Sequence, residues 1–204
     1  MENLAQHIQP YFSITKEDFS SIEHLFEAEK ILKGDFFIRK EQYCEKMSFI
    51  QQGYVRVYAN SKDKEITQWI ATKGYFITDL YSFIFDQRAR WNIQTLTDCY
   101  LFTISKENYK KLSEILPNWH NLEKKFIANC FATLEDRVFD HLSLNTEERY
   151  LKFFHQNKGL FNEVPLQFLA SMLGMTPETL SRIRKKFKVT IYKFTLNKKL
   201  ARLF

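Results

Sequence analysis

Residues 165–186 read PLQFLASMLGMTPETLSRIRKK, and this segment constrains the fold more tightly than any other. Apolar residues recur at helical spacing in its first half, at Leu166, Leu169, Ala170 and Leu173. Gly174 then favours the left-handed conformation that ends a helix. Thr176 is a candidate N-cap of a second helix, whose buried face is Leu180 and Ile183. The pattern predicts two short helices joined by a tight turn, a helix-turn-helix.

Positive charge is concentrated at the same end of the chain. From Pro165 onward there are nine Lys and Arg and one acidic residue, so this part carries +8. Residues 1–164 hold 21 basic and 23 acidic residues, a balance of −2. A cationic end on a nearly neutral chain favours an anionic partner, with nucleic acid first and a membrane surface second.

The exposed side chains of the predicted second helix are candidates for contact with DNA. They are Thr176, Glu178, Thr179, Ser181, Arg182, Lys185 and Lys186. A helix fits a major groove about 12 Å wide, with its first side chains at base edges and later cations at phosphates. Arg182 is the best candidate to bind guanine, and Glu178 could accept from a cytosine amino group. The alternative is a ligand-binding or scaffold module that does not bind DNA and carries a basic tail.

The preceding residues predict a β-rich domain and then a long helix, an α+β protein. Between Ala28 and Ile104, short β-branched and aromatic runs alternate with turn signals, which is typical of an antiparallel jelly roll. Residues 117–142 contain no Gly, and Pro only at the start, so they predict one helix. This helix either lies along the sheet or also packs on a symmetric partner. Its candidate dimer contacts are Leu122, Phe126, Thr133 and Leu134.

Shorter helices are predicted on either side of the β-rich region. They cover residues 15–26, 105–116 and 143–154. Their candidate N-caps are Thr15, Ser105, and Asn145 or Thr146, and Gly159 is expected to close the last of them. The domain boundaries predicted from these patterns are 1–116 for the jelly roll, 117–142 for the long helix and 143–204 for the helix-turn-helix domain.

Composition and motifs argue against an enzyme. The three cysteines are widely spaced and odd in number, which suits a reducing cytoplasm rather than a disulfide framework. The five histidines all lie outside the predicted strands, so the metal site of a jelly-roll enzyme is not expected. No secretory signal or membrane span is visible. The prediction is a cytoplasmic non-enzyme with no catalytic residues, no metal and no cofactor, which does not bind a membrane.

The order jelly roll, long helix, helix-turn-helix resembles the Crp–Fnr superfamily of dimeric transcription regulators. The resemblance covers about residues 15–186. It rests on ILKGDFFIRKEQYCEKMSFIQQGYVRVY, KGYFITDL, TEERYLKFF and LASMLGMTPETLSRIRKK. It implies a homodimer that binds double-stranded DNA through the second helix of the motif, with the 117–142 helix as the interface and RNA polymerase as a further partner. It also implies a winged-helix-like end after Lys186.

The resemblance implies a cyclic-nucleotide-type pocket in the jelly roll, and here the sequence departs from the family. Members that bind cyclic AMP have Gly-Glu-Leu, followed further on by Arg-Ser-Ala. The matching segments are Thr78-Asp79-Leu80 and Ala89-Arg90-Trp91. The candidate pocket residues are therefore Asp79, Leu80, Arg88 and Arg90, although a shift of one residue on a strand turns a side chain to the other face. We predict that cyclic AMP is not the effector and that the pocket is either empty or takes another ligand. The alternative is a cyclic-nucleotide-responsive regulator.

Overall fold

The chain forms two compact units, as seen in a computed structural model that describes Leu4, Ile8, Phe12 and residues 14–187. The first unit is Met1–Arg137 and the second is Val138–Phe204. The predicted winged end, residues 188–204, lies outside the described residues.

The described residues of the first unit contain eight antiparallel strands in two four-stranded sheets. The strands are β1 Phe26–Ile31, β2 Phe36–Ile38, β3 Lys46–Gln52, β4 Val55–Ser61, β5 Lys64–Ala71, β6 Phe76–Ile77, β7 Asn92–Thr95 and β8 Cys99–Ser105. One sheet has the order β1-β8-β3-β6 and the other has the order β2-β7-β4-β5. Lys62 and Asp63 connect β4 and β5 in a hairpin, with Lys62 in the left-handed region at the turn.

In the first unit, helices pack against one face of the first sheet. In the second unit, the regular elements described are all helices. The helices are α1 Lys16–Ile22, α2 Leu80–Phe85, α3 Lys106–Ile115, α4 Trp119–Ser143, α5 Thr146–Gln156, α6 Leu160–Glu163 and α7 Leu166–Met172, followed by α8 at 177–187. A short 3-10 turn, Glu23–Leu25, links α1 to β1. Within the described residues, none of these helices is long and apolar enough to cross a membrane.

Strand alternation divides the core of the first unit into two layers. On β3, Ile50 belongs to the cluster between the two sheets, whereas Phe49 faces the helices. On β8, Leu101 and Phe102 divide in the same way. Because successive side chains on a strand point to opposite faces, one sheet can serve both layers. Apolar side chains from both sheets therefore line the space between them.

Three of the predicted helices begin at the N-cap residues expected from the sequence. Thr15 and Asp18 form a capping box on α1, Ser105 caps α3, and Asn145 caps α5. The end of α5 differs from the prediction, because it ends at Gln156 and the backbone N–H of Asn157 closes the last turn. Gly159 has a φ of −59°, so it does not close that helix but precedes α6.

Candidate functional site

The two helices of the predicted motif, α7 and α8, are joined by a short turn. Gly174 has a φ of +67°, a left-handed conformation that suits glycine. Just beyond it, the backbone N–H of Met175 donates to the carbonyl of Ala170 at 3.0 Å. Ala170 and Leu180 are both fully buried, as are Leu169, Leu173 and Ile183. The apolar positions that the motif predicts therefore form the contact between the helices and the rest of the second unit.

The start of α8 presents an ionised carboxylate to solvent. Thr176 accepts a hydrogen bond from the backbone N–H of Thr179 at 3.2 Å, as an N-cap does. The pKa of the exposed Glu178 carboxyl is lowered by a hydrogen bond from its own backbone N–H and by another from the Thr176 hydroxyl. Glu178 is therefore negatively charged near neutral pH and acts as a hydrogen-bond acceptor.

The outer face of α8 carries three of the seven predicted contact residues. Glu178, Arg182 and Lys185 are exposed and follow each other at spacings of four and three, so they lie on one face. Thr179 and Ser181 flank this face and are half-buried. The helix thus brings an acceptor and two cations together on one solvent-facing surface.

Two other basic residues of α8 contact the second unit itself. The Lys186 ammonium donates to both carboxylate oxygens of Glu147, at 2.8 Å each. The Arg184 guanidinium lies 5.6 Å from the centre of the Phe161 ring. The structure therefore engages Lys186, which the sequence assigned to DNA, in an ion pair between α8 and α5.

In the predicted effector pocket, Asp79 is bound by the backbone. Its side chain is 1% exposed and caps α2, with Oδ1 accepting from the backbone N–H of Ser82 at 3.0 Å. Its Oδ2 accepts from the backbone N–H groups of Arg90 and Trp91, at 2.8 and 3.3 Å. Three amides thus satisfy this carboxylate, which holds together the two segments matched to the family's nucleotide-binding sequence.

The two candidate arginines point to solvent rather than into the roll. Arg88 donates to the backbone carbonyl of Glu41 at 2.8 Å, and the Arg90 guanidinium lies 4.7 Å from the centre of the Tyr81 ring. Ala89, between them, is buried in the cluster between the sheets. The alternation along this segment turns Ala89 inward, so neither arginine replaces the missing one. Leu80 packs against the helix-side cluster instead of the space between the sheets.

Two of the predicted dimer contacts are buried in the protomer's own core. Leu122 is nearly buried and Phe126 is fully buried. The Phe126 ring stacks on Phe12 at a centroid distance of 4.7 Å and meets Phe76 edge-on at 4.8 Å. Leu122 and Phe126 therefore pack inside their own protomer rather than on its surface. The remaining two candidates, Thr133 and Leu134, are exposed.

Further along α4, the candidate Leu134 belongs to a stripe of exposed apolar residues. Its members are Ile127, Phe131, Leu134, Val138 and Leu142, with Phe139 beside them. Their exposed fractions run from 40% for Ile127 to 81% for Leu142. The spacings of four, three, four and four place them on one helix face. Exposed apolar patches are often sites of protein–protein contact, so this face of α4 is a candidate interface.

Burial keeps two of the three cysteines in the thiol form. Desolvation raises the pKa of Cys99, and it raises the pKa of Cys130 to about 11. A reactive cysteine needs the thiolate, which a lowered pKa favours. These two thiols therefore have the chemistry of packing residues.

The family model of the cyclic nucleotide-binding domain matches residues 28–115. Comparison with curated proteins gave no significant match. Similar folds are found among solved structures. The c-di-GMP-responsive global regulator CLP of Xanthomonas campestris is 17% identical, with a TM-score of 0.66 over 86% of this chain and 93% of that one.

Two further structures extend the likeness over most of the chain. FixK2 from Bradyrhizobium japonicum is 15% identical, with a TM-score of 0.71 over 81% of this chain and 85% of that one. A Crp/Fnr-family transcriptional regulator from Eubacterium rectale is 16% identical, with a TM-score of 0.67 over 91% of this chain and 88% of that one. The chain thus has the fold of Crp/Fnr-type regulators, with a cyclic nucleotide-binding-type domain over residues 28–115.

Proposed function

We propose that this protein is a homodimeric, sequence-specific DNA-binding transcription regulator, cytoplasmic and without catalytic activity. The observation that carries the proposal is the outer face of α8, where Arg182 and Lys185 are exposed beside an ionised Glu178. This face lies in the part of the chain that carries +8. The fold likeness to transcriptional regulators supports the same function.

In the proposed complex, α8 enters the major groove. Arg182 donates two hydrogen bonds to guanine, and Glu178 accepts from a cytosine amino group. Lys185, a turn further along, meets the phosphate backbone, which fixes position without reading sequence. A dimer places two such helices about 34 Å apart, so the operator is a pseudo-palindrome with half-sites one turn apart.

The proposed partner of the α4 stripe is a second copy of the chain. The stripe follows the alternating four and three spacing of a two-helix seam from Ile127 to Val138. Two copies related by a two-fold axis would cover each other's exposed Phe131 and Leu134. Closed symmetry also supplies the second recognition helix that a pseudo-palindrome requires.

The predicted effector pocket of the first unit favours an effector other than cyclic AMP. The Asp79 carboxylate is taken up by three backbone amides, and Ala89 occupies the inward position between two outward arginines. A cyclic phosphate needs a cation facing the roll interior to balance its charge. The residues that were candidates for that contact do not supply it.

Replacing Arg182 with alanine tests the role of α8. We expect affinity for a duplex selected by the protein from a random library to fall by about 1–3 kcal/mol. Affinity for random duplex should fall less, because phosphate contacts are retained. Binding is measured by fluorescence anisotropy between 50 and 200 mM salt, since contacts with phosphates make affinity depend steeply on salt.

The matched control for Arg182→Ala is Lys111→Ala, which removes one half-buried cation from the first unit. Lys111 pairs with Glu107 at 3.1 Å on α3 and should not affect binding to either duplex. An equal loss on selected and random duplex would contradict base reading by Arg182. Negligible binding of the unmodified chain even at low salt would overturn the DNA-binding proposal itself.

Replacing Leu134 with glutamate tests the proposed dimer. Burying an unpaired carboxylate at the centre of the seam should weaken self-association by at least about a hundredfold. Folding of the protomer should be little changed, because the Leu134 side chain is 47% exposed. Mass in solution, measured by sedimentation over a range of concentrations, reports the change.

Ala132→Glu is the control for Leu134→Glu, because it adds the same charge to an exposed position on α4 away from the stripe. It should leave the dimer intact. A monomeric unmodified chain, or equal dissociation by both variants, would rule out the stripe as a specific interface.

A further inference from the structure

A cleft of about 260 Å³ lies in the first unit, beside α2, α3 and the start of α4. Its floor is aromatic and its rim is charged. All of its lining residues fall within 83–123, on the helix side of the first sheet, so it is separate from the space between the sheets. The proposed DNA-binding surface contributes nothing to it, so the inference does not depend on that role.

The floor consists of Phe83, Tyr109 and Trp119. Tyr109 meets Phe83 edge-on at a centroid distance of 5.1 Å and Trp119 edge-on at 5.5 Å. The Tyr109 hydroxyl donates to Glu123 at 2.9 Å, which orients the ring. Apolar cavities of about 150 Å³ bind benzene. This cleft is therefore large enough for one aromatic ring that bears a small polar group.

The rim carries an ion pair whose partners differ sharply in exposure. The Lys106 ammonium is paired with the Asp86 carboxylate. The Lys106 side chain is 10% exposed, whereas that of Asp86 is 71% exposed. Lys110 also lines the cleft, and its positive charge adds to that of Lys106 in lowering the pKa of Asp86. Two ammonium groups thus act on one carboxylate that is already largely hydrated.

This asymmetry makes Asp86 replaceable. A ligand carboxylate that takes its place at Lys106 gains a charge-assisted hydrogen bond in a sheltered position. Displacing Asp86 into water costs little, because most of its hydration is already present. An aromatic ring attached to that carboxylate would then lie over the apolar floor.

We propose that this cleft binds a small aromatic carboxylic acid. Its ring packs on Phe83, Tyr109 and Trp119, and its carboxylate bonds to Lys106 and Lys110 in place of Asp86. An inorganic anion would leave the aromatic floor uncovered. An aromatic amine could not replace Asp86 at Lys106, because both groups would be positively charged.

The test uses the full chain and 4-fluorobenzoate as the probe, followed by fluorine NMR. Binding is expected to be saturable. Lys110→Ala should raise the dissociation constant by roughly threefold to tenfold, because it removes one of two cations at an exposed rim. Ser113→Phe, which fills the cleft from α3, should raise it by at least about tenfold. Lys111→Ala, the next residue along, should leave it within about twofold.

Charge specificity forms the second arm. 4-Fluorobenzylamine should bind at least about tenfold more weakly than 4-fluorobenzoate, and inorganic phosphate should not compete with the benzoate. Tryptophan fluorescence during urea unfolding verifies that each variant is folded. Lack of saturable benzoate binding, or a dissociation constant unchanged in both Lys110→Ala and Ser113→Phe, would overturn the proposal. Equal binding of the amine would overturn the assigned ligand class.

Discussion

Gly53→Ala is expected to lower the free energy of unfolding of the first unit by about 3–5 kcal/mol. Gly53 has a φ of +108°, a region that L-residues rarely adopt. A Cβ atom at this position would lie 2.5 Å from the sulfur of Cys99 and 2.7 Å from the backbone oxygen of Asp98. The Cys99 side chain is fully buried, so it could move only by disturbing the core around it, and the Asp98 oxygen belongs to the backbone directly before β8. The cost of the substitution is therefore the sum of the backbone strain at Gly53 and the steric overlap of the added Cβ with Cys99 and Asp98.

Gly34→Ala provides the matched control for Gly53→Ala. Gly34 has a similar φ of +89°, but an added Cβ meets nothing within 4 Å. It should cost only the conformational strain, about 1–2 kcal/mol. All three tryptophans lie in the first unit, so their fluorescence during urea unfolding follows that unit alone. Equal costs for the two substitutions would show that the close approach of Cys99 does not constrain Gly53.

Phe126→Ala is expected to destabilise the first unit by about 3–5 kcal/mol. Phe126 is fully buried on α4, where its ring stacks on Phe12 and meets Phe76 of β6 edge-on. Removing the ring therefore leaves a cavity in the core. Phe131→Ala, five residues along the same helix, should change the stability of an isolated protomer by no more than about 0.5 kcal/mol, because that ring is 60% exposed.

The Phe126 and Phe131 variants are best compared in the Leu134→Glu background. Loss of self-association would otherwise lower the apparent stability of Phe131→Ala by mass action. Urea unfolding is again followed by tryptophan fluorescence. A large cost for Phe131→Ala in that background would place it in the protomer core, contrary to its exposure. A small cost for Phe126→Ala would show that this part of α4 packs loosely.

Local chemistry made much of the secondary structure predictable. Thr15, Ser105 and Asn145 cap helices because their side-chain oxygens satisfy backbone N–H groups only a few residues away. Gly174 forms the turn between α7 and α8 because this turn needs one residue with a positive φ, which glycine adopts without strain. The predicted end of α5 at Gly159 is wrong, because the backbone N–H of Asn157 closes the helix two residues earlier. Two residues that can each end a helix differ little in free energy, so their order in the sequence does not tell which one does so.

The α4 helix shows where local reasoning stops. Its apolar residues lie on more than one face, and the sequence does not say which face the sheet covers. The structure covers Leu122 and Phe126 and leaves Phe131 and Leu134 exposed. Only residues distant in sequence, among them Phe12 and Phe76, make that choice. The candidate interface therefore lies further along α4, on the face that carries Phe131 and Leu134.

By itself, the sequence determined the order of the elements, the cationic end and the exposed face of α8, because each follows from spacing and charge over a few residues. Tertiary structure decided that Asp79 is bound by the amides of Arg90 and Trp91, that Lys186 pairs with Glu147, and that Lys106 and Asp86 meet at an aromatic cleft. These contacts join residues 11–39 positions apart. The partner of a charged side chain depends on which surfaces folding brings together.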